Sequence, residues 1–126
     1  MSSEIPYLTK TLHMNKGAAG DTDQVSFVNK EGCRLEIQSI TNHPELTSAT
    51  NGTNYATLTA AIDGGSAIGT RATSATSLTK NTEEDFTLSG DLVIPVNGVF
   101  QITKAVAGTG VAVDCTFEVV MKRVRS

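Results

Sequence analysis

Two histidines and a few acidic side chains are the groups of this sequence that could bind a metal ion. His43 lies close to Glu45 in the sequence NHPE, and these two side chains could share a cation. A zinc site needs three or four converging ligands, whereas His13 is distant in the sequence and has no ligand-like neighbour at regular spacing. The spacing therefore predicts no metal site.

Three short acidic or Gly-rich motifs resemble ligand-binding loops. Asp21 and Asp23 suggest calcium, but the motif lacks the central Gly and the distal Glu of an EF-hand loop. The sequence DGGS at 63–66 resembles a phosphate-binding loop, but no Lys follows it and no βαβ unit surrounds it. The acidic cluster EED at 83–85 predicts a charged loop or a docking point for a basic partner.

Nucleophilic catalysis has no recognisable motif in this sequence. There is no G-x-S-x-G, and a Ser–His–Asp triad is a spatial arrangement that a sequence rich in Ser and Thr does not reveal. Cys33 and Cys115 lack CxxC spacing and alternate in phase with apolar neighbours, which favours two buried thiols over a disulfide between facing strands. We predict that the chain is not an enzyme and has no catalytic residues and no cofactor.

The composition and charge of the chain limit the partners that it can have. The 126 residues carry a formal net charge of -3 and are 39% hydrophobic, which suits one domain with a thin core. The sequence lacks a basic stripe with interleaved aromatic residues, so it does not predict nucleic-acid binding. No segment reaches transmembrane length. Residues 1–10 show neither the basic nor the apolar region of a secretory signal, which predicts synthesis in a cytosol and no membrane partner.

The elements that must position these groups are predicted to be β-strands. Residues 33–40 (CRLEIQSI) and 113–124 (VDCTFEVVMKRV) alternate apolar and polar residues, as half-buried antiparallel strands do. Residues 47–82 are rich in Thr, Ala and Gly, which suits exposed β structure. Within them, YATLTAAID at 55–63 fits both a strand and a helical stripe, and its threonines favour the strand. The sequence NHPE at 42–45 predicts a turn.

The segment around Pro95 carries the clearest fold signal. Apolar residues at 86–94 share one phase, with Gly90 as a bulge, and Asn97-Gly98 is a tight-turn dipeptide. If the strands before and after this turn paired directly, the apolar residues of one strand would lie on the opposite face of the hairpin from those of the other. Either both faces are covered, or Pro95 marks a corner at which the chain crosses between two sheets. We favour the corner, because sandwiches and jelly rolls are built in this way.

Two regions follow along the chain. Residues 1–24 are predicted to be an N-terminal arm and a flexible loop, and the arm is predicted to be an edge or swapped strand because Pro6 cannot donate to a ladder. Residues 25–126 are predicted to be a β-sandwich domain. The predicted fold is all-β, an antiparallel, jelly-roll-like β-sandwich of about seven or eight strands with an extended arm.

The polar arm, the Thr/Ala/Gly-rich loops and the sandwich core together resemble the small decoration, or cement, proteins of tailed-bacteriophage capsids. The local sequence IPVNGVFQI at 94–102 is similar to a turn of the trimeric jelly rolls of the tumour-necrosis-factor and C1q type. The resemblance implies a homotrimer that binds the major capsid protein on the outer surface of the shell and stabilises the shell. It also implies a place on the capsid exterior of a virion that is assembled in the host cytoplasm.

Position and exposure predict that both ends of the chain make the partner contacts. The predicted contact residues are Ile5, Tyr7, Leu8, Leu12, Met14, Lys122, Arg123 and Arg125. The alternative function is a carbohydrate- or receptor-binding β-sandwich module of the phage fibre or tail-tip type. The absence of Trp and the presence of only two Tyr count against it, because sugars are usually bound on aromatic platforms.

Overall fold

The computed structural model describes residues 7–15 and 18–124, and these residues form nine β-strands and no helix. The strands are β1 Tyr7–Met14, β2 Asp23–Val28, β3 Arg34–Pro44, β4 Tyr55–Ile62, β5 Ala67–Ala72, β6 Glu84–Asp85, β7 Val93–Ile94, β8 Val99–Ala107 and β9 Cys115–Val124. Among these residues there is accordingly no apolar helix that could cross a membrane. The predicted all-β fold is confirmed.

The strands form two antiparallel sheets with nested pairing. The five-stranded sheet has the order β1-β9-β3-β6, with β7 also paired to β3, and the four-stranded sheet has the order β2-β8-β4-β5. The first strand thus pairs with the last, the second with the next to last, and so on inwards to β4 and β5. This nesting is the strand order of a jelly roll, as predicted.

The core lies between the sheets because apolar residues alternate along the central strands. Phe117 and Met121 of β9 face Leu58 and Phe100 of the four-stranded sheet's inner side, and each is at most 1% exposed. A bulge in β3 between Ile37 and Ser39 shifts the alternation by one residue, so that Ile40 also reaches the core. The bulge explains why the polar side chains of Gln38 and Ser39 follow one another.

The chain crosses between the sheets at Pro95, as predicted. β7 belongs to the five-stranded sheet and β8 to the four-stranded sheet. Between them a tight turn is closed by the Gly98 N–H, which donates to the Pro95 carbonyl at 2.8 Å, and Asn97 has a φ of 65°. Ile94 and Phe100 therefore both reach the core, although they would lie on opposite faces of a direct hairpin.

Three local predictions meet different outcomes. Residues 55–62 are a strand, as favoured, and Asp63 begins the next turn with a φ of 53°. β3 continues to Pro44, so the prediction of a turn at 42–45 is wrong for three of its four residues, and only Glu45 lies beyond the strand. The shared apolar phase at 86–94 indicated one strand, but only its end, Val93–Ile94, is a strand. The Phe86 N–H donates to Ile40 of one sheet and the Ser89 N–H donates to Ile68 of the other, so this segment is a crossing loop.

The described part of the N-terminal arm is a strand of the sheet. β1 pairs with β9 over its whole length, from Tyr7 opposite Lys122 to Met14 opposite Cys115, and it is the edge strand of the five-stranded sheet. Pro6 lies outside the described residues. The division of the chain into an arm at 1–24 and a domain at 25–126 stays a prediction.

Candidate functional site

Predicted contact residues from both ends of the described chain meet at one edge of the sandwich. Tyr7 lies directly opposite Lys122, and Leu8 lies opposite Met121. Tyr7 is 48% exposed, and Lys122 is exposed as well. Strand pairing therefore joins residues that are far apart in the sequence. We name this surface the terminal edge and define it as Tyr7, Leu8, Leu12, Lys122 and Arg123.

The members of the terminal edge differ in their surroundings. Leu8 and Leu12 are half-buried and pack against the core. The Arg123 guanidinium forms an ion pair with Glu31 at 3.1 Å, in which both side chains are about one-third exposed. Met14 is 1% exposed and belongs to the core, so it presents no surface to a partner in this structure. The predicted contacts Ile5 and Arg125 lie outside the described residues.

His43 is brought close to two carboxylates on the outer side of the five-stranded sheet. Its Nδ1 lies 3.3 Å from Glu83 Oε1, and its Nε2 lies 3.8 Å from Glu45 Oε1. The sequence suggested Glu45 as a neighbour of His43, whereas Glu83 is brought there because it directly precedes β6, which pairs with β3. The Thr116 hydroxyl also donates to Glu45 at 3.3 Å. These groups line a cleft of about 240 Å³ and form an exposed cluster of polar side chains.

The other groups singled out in the sequence also pair within the chain. His13 Nε2 lies 2.7 Å from Asp114 Oδ1. The Asp85 carboxylate accepts a hydrogen bond from the Thr41 hydroxyl at 2.8 Å. Within residues 7–15 and 18–124, no group of three or more His, Cys, Asp or Glu side chains is arranged to hold a metal ion. These side chains stabilise contacts between strands.

Both cysteines are free thiols, as favoured over a disulfide. Cys115 is buried, whereas Cys33 is half-buried, so the prediction of two buried thiols holds fully only for Cys115. Burial, followed by the carboxylate of Asp114, raises the pKa of the Cys115 thiol to about 12. Because the thiolate is the nucleophile, this side chain is inert at neutral pH.

The outer faces of the two sheets carry different chemistry. On the five-stranded sheet the outward side carries ionisable residues of both signs, namely His13, Arg34, Glu36, His43, Asp85, Glu118 and Lys122. On the four-stranded sheet, the residues that alternate with the buried ones carry no acidic or basic group. They are Gln24, Ser26, Val28, Tyr55, Thr57, Thr59, Thr70, Ala72, Val99, Gln101, Thr103, Ala105 and Ala107. We name this set the neutral face.

All charged residues in the strands of the four-stranded sheet lie on its inner side. Asp23 is paired with Lys104, Lys104 with Leu58, and Leu58 with Arg71, so the charges share one row across four strands. Leu58 is buried in the core, which places Arg71 and Lys104 on the core side on either flank of it. The four strands therefore do carry charged residues, but none of these lies on the neutral face.

Arg71 joins the two sheets at the edge formed by β5 and β6. Its guanidinium contacts both carboxylate oxygens of Glu84 on β6. It also donates to the carbonyl oxygens of Thr76 and Ser77, each at 3.0 Å, and so holds the loop that follows β5. The sequence contains no signal for this pair, because strand pairing and loop folding bring the two side chains together.

Lys104 contacts the loop between β1 and β2 from the inner side of the four-stranded sheet. The side chain is only 2% exposed, and its Nζ lies 3.5 Å from the Ala18 carbonyl oxygen and 3.4 Å from that of Ala19. Burial lowers the pKa of Lys104 from its ordinary value, while the charges of Asp21 and Asp23 act in the opposite direction. In the sequence this residue is one polar position in an alternating strand, and nothing marks it as buried.

Another cleft lies at the turn between β4 and β5. It has a volume of about 510 Å³ and includes Asp63 and Asp91 in its lining. Asp63 Oδ1 accepts a hydrogen bond from the Val99 N–H at 2.7 Å, and Asp91 Oδ1 accepts one from the Val93 N–H at 3.0 Å. Both carboxylates thus stabilise local backbone structure.

Comparisons with known proteins give weak likenesses only. No protein-family model matches the chain, and no curated protein matches it either. A structure of infectious bursal disease virus, Gx strain, aligns with 17% identity and a TM-score of 0.31 over 91% of this chain and 32% of the viral chain. The VP2 subviral particle of the same virus aligns with 15% identity and a TM-score of 0.21 over 94% of this chain and 42% of that one.

A structure of the Gt strain of that virus aligns with 17% identity and a TM-score of 0.22. The chain spans between 32% and 42% of the length of these three viral chains. TM-scores this low do not establish a shared arrangement of strands, so the function must be inferred from the geometry of this chain.

Proposed function

We propose that this protein is a structural protein of a virion, which decorates the outer surface of a capsid shell and stabilises it. The observation that carries this proposal is the terminal edge, where exposed and half-buried residues from both ends of the described chain lie side by side. The partner is the major capsid protein, and the protein is placed on the capsid exterior after assembly in the host cytoplasm. Its action is mechanical and needs no catalytic group.

The terminal edge has the properties of a surface that accepts another chain. Within the described residues, β1 pairs on one side only, so its other side presents backbone N–H and C=O groups. Such an edge can take up an additional strand from a partner. The exposed ring of Tyr7 supplies apolar area beside the charge of Lys122, and aromatic residues are frequent anchors of interfaces.

A small edge of this kind binds weakly by itself. On a shell with many equivalent positions, several contacts per assembled particle add through multivalency. The homotrimer implied by the family resemblance is one way to obtain several contacts, and it stays a prediction.

The test is binding to empty shells assembled from the major capsid protein of the same virus. Tyr7→Ala combined with Lys122→Glu should lower the bound fraction at least tenfold, since an anchor and a charge are lost together. Val96→Ala is the control, because Val96 is a 45% exposed apolar side chain that is not among the predicted contact residues. Equal binding of both variants would refute the terminal edge as the contact.

The same assay separates the alternative function. Absence of binding to shells, together with a rise in melting temperature on addition of one sugar from a panel, would replace the proposal with the carbohydrate-binding module. Tyr7→Ala would then abolish the rise in melting temperature if the ring is the sugar platform.

A further inference from the structure

We infer that the free edge of β1 takes up an extended partner strand whose core-facing side reads apolar, acidic, apolar at alternate positions, and that Lys10 binds the acidic residue. This assignment rests on the proposed function, because it names the chemistry of the capsid-protein segment that this edge would bind. The pattern reads the same in both directions, so it applies to a parallel and to an antiparallel strand.

Among the described residues, β1 is the longest strand at an edge of either sheet. It has eight residues, whereas β2 and β5 have six and β6 has two. The edge of β5 is already used in part, because the Ser89 N–H donates to the Ile68 carbonyl. β1 pairs with β9 without a bulge, so its other side offers a regular row of N–H and C=O groups to an added strand.

Lys10 is a charged residue on the core-facing side of β1. It lies opposite Val119, which is buried in the core, and residues directly opposite one another in an antiparallel pair point to the same face. Its neighbours on that face are Leu8 and Leu12. Lys10 is nevertheless exposed, and no carboxylate of the described residues forms an ion pair with it. The core-facing row at this edge therefore reads Leu, Lys, Leu.

The apolar residues around Lys10 are only partly covered. Leu8 and Leu12 are half-buried, and so are Val25 and Phe27 of β2, the edge strand of the other sheet that lies beside β1. Val25 and Phe27 lie opposite buried residues of β8, so they also face the core. A strand added to β1 would cover apolar surface of both sheets while it extends the ladder.

Charge excludes a second β1 as the added strand. In the two antiparallel registers of longest overlap that keep the core-facing sides together, Lys10 of one copy lies opposite Lys10 of the other or at the adjacent diagonal position. Like charges placed in this way destabilise a strand pair, and inward-pointing charges are a means by which natural sheets prevent pairing of their edges. A strand with Asp or Glu at this position turns the same charge into an attraction.

Two capped heptapeptides, TVTETVT and TVTKTVT, test the assignment. They differ only in the central residue, which lies opposite Lys10 when the valines lie opposite Leu8 and Leu12. Titration of isotope-labelled protein, followed by amide chemical shifts, should show weak, millimolar binding of the Glu peptide, because a short flexible strand must become ordered. The Lys peptide should bind about fivefold more weakly, since like charges replace opposite ones in a cross-strand pair.

Reversal of the charge on β1 should reverse this preference. Lys10→Glu should bind the Lys peptide about fivefold more tightly than the Glu peptide. Lys80→Glu is the matched control, because it makes the same change in net charge at an exposed position between β5 and β6, and it should keep the wild-type preference. If circular dichroism shows that Lys10→Glu is unfolded, Lys10→Gln takes its place and should bind both peptides equally.

Hydrogen exchange locates the contact on the protein. The Glu peptide should slow exchange at alternate residues of β1, whose N–H groups point away from β9. Equal affinity of wild type for the two peptides, binding of neither, or protection outside β1 would overturn the inference. Protection of β1 that rises with protein concentration in the absence of peptide would overturn it as well, because a second copy would then be the occupant.

The peptide assay and the shell-binding assay can fail separately. Binding to shells without discrimination between the peptides would refute the chemistry of the partner strand and leave the proposed function intact. Selective peptide binding without binding to shells would refute the capsid as the partner and support the edge of β1 as a strand-binding site.

Discussion

Arg71 and Lys104 hold two loops from the same row of the four-stranded sheet, but they do so in different ways. Arg71 has a carboxylate partner in Glu84 and donates to loop carbonyls at 3.0 Å. Lys104 is more deeply buried, its Nζ lies 3.4 Å or more from the loop carbonyls, and the nearby charges of Asp21 and Asp23 only partly offset its burial.

The difference shows how the loop between β1 and β2 can be held although its cation, Lys104, has only long contacts to it. The planar guanidinium binds a carboxylate and several carbonyls at fixed angles, whereas the ammonium is a point charge on a flexible stem. On the Lys104 side the backbone itself packs closely, because the Gly110 Cα lies against the Ala19 carbonyl. Charge-assisted hydrogen bonds therefore hold one loop, and close backbone packing holds the other.

Gly110→Ala should lower the free energy of unfolding more than any other variant proposed below, and it tests whether close backbone packing holds the loop at Ala19. A Cβ at this position would lie 2.2 Å from the Ala19 carbonyl oxygen, and Gly110 has a φ of 71°. We expect a loss of about 3 kcal/mol in the free energy of unfolding, from strain and clash together. Urea unfolding measures it.

Gly90→Ala separates strain from clash. Gly90 has a φ of 82°, but a Cβ there would meet no atom within 4 Å, so only the conformational cost of about 1 kcal/mol is expected. Equal losses for the two variants would mean that the loop at Ala19 moves aside freely, and close packing would then not be what holds it.

Arg71→Ala should have the next largest effect. It leaves Glu84 and the carbonyls of Thr76 and Ser77 without their donor in a partly buried place. We expect a loss of about 2 kcal/mol, and a loss of about 1 kcal/mol for Arg71→Lys, which keeps the charge but not the fork of donors. Chemical unfolding of the three proteins gives both values.

Lys10→Ala is the matched control for Arg71→Ala. Lys10 is exposed on β1 at the opposite edge of the sandwich, so its removal should change the free energy of unfolding by less than about 0.5 kcal/mol. If Lys10→Ala cost as much as Arg71→Ala, the ion pair with Glu84 would have no special weight.

Lys104→Met should raise the free energy of unfolding by about 1 kcal/mol near pH 7, since an apolar side chain of similar length replaces a buried charge. The pKa of Lys104 is lower in the folded chain than its ordinary value of 10.5. Between these two values the unfolded chain binds more protons, so the stability contributed at this site rises with pH and is lost as the pH falls. The advantage of Lys104→Met should therefore shrink as the pH approaches 10.5.

Urea unfolding of wild type and Lys104→Met across this alkaline range measures the difference. A difference that stays constant with pH would show that the lysine is solvated in the folded chain, contrary to its exposure of 2%.

Thiol reactivity measures a smaller effect, which is the local opening of the structure next to the loop that Lys104 contacts. Cys115 lies opposite Met14, next to the loop that Lys104 holds, and its pKa of about 12 suppresses the thiolate. At neutral to mildly alkaline pH a thiol reagent should modify Cys33 promptly and Cys115 only after local opening. Gly110→Ala should accelerate the Cys115 reaction, and Arg71→Ala should leave it close to wild type. Prompt modification of both thiols in wild type would show that this end of the sheet is already open.

Sequence periodicity predicted burial better than it predicted pairing. The alternation at 113–124 corresponds to β9, and the phase change at Pro95 correctly indicated a crossing between sheets. At 86–92 the same kind of alternation does bury Phe86, but the backbone pairs with one sheet and then the other. A period of two records which side chains face the core, and it does not record where the N–H groups donate.

The site was predictable only in part, for a related reason. The proximity of Tyr7 and Lys122 follows from nested pairing, which the sequence suggested only as a fold type. The pair of Arg71 and Glu84 and the burial of Lys104 depend on contacts between sheets and loops, for which a single sequence holds no pattern. The neutral face becomes visible only when register assigns residues of four separate strands to one side.

The position of β9 has a consequence for how the protein is made. β9 is the last strand along the chain, yet it lies between β1 and β3 in the middle of the five-stranded sheet. A ribosome releases β1 and β3 before their common neighbour β9 exists, so neither strand can complete its ladder until β9 has emerged. Pairs so distant in sequence close slowly, and the half-formed sheet exposes apolar residues such as Ile37 and Leu12 meanwhile. Assembly of this sheet must therefore wait for the final strand to leave the ribosome, and chaperones would have their greatest influence on yield during that interval.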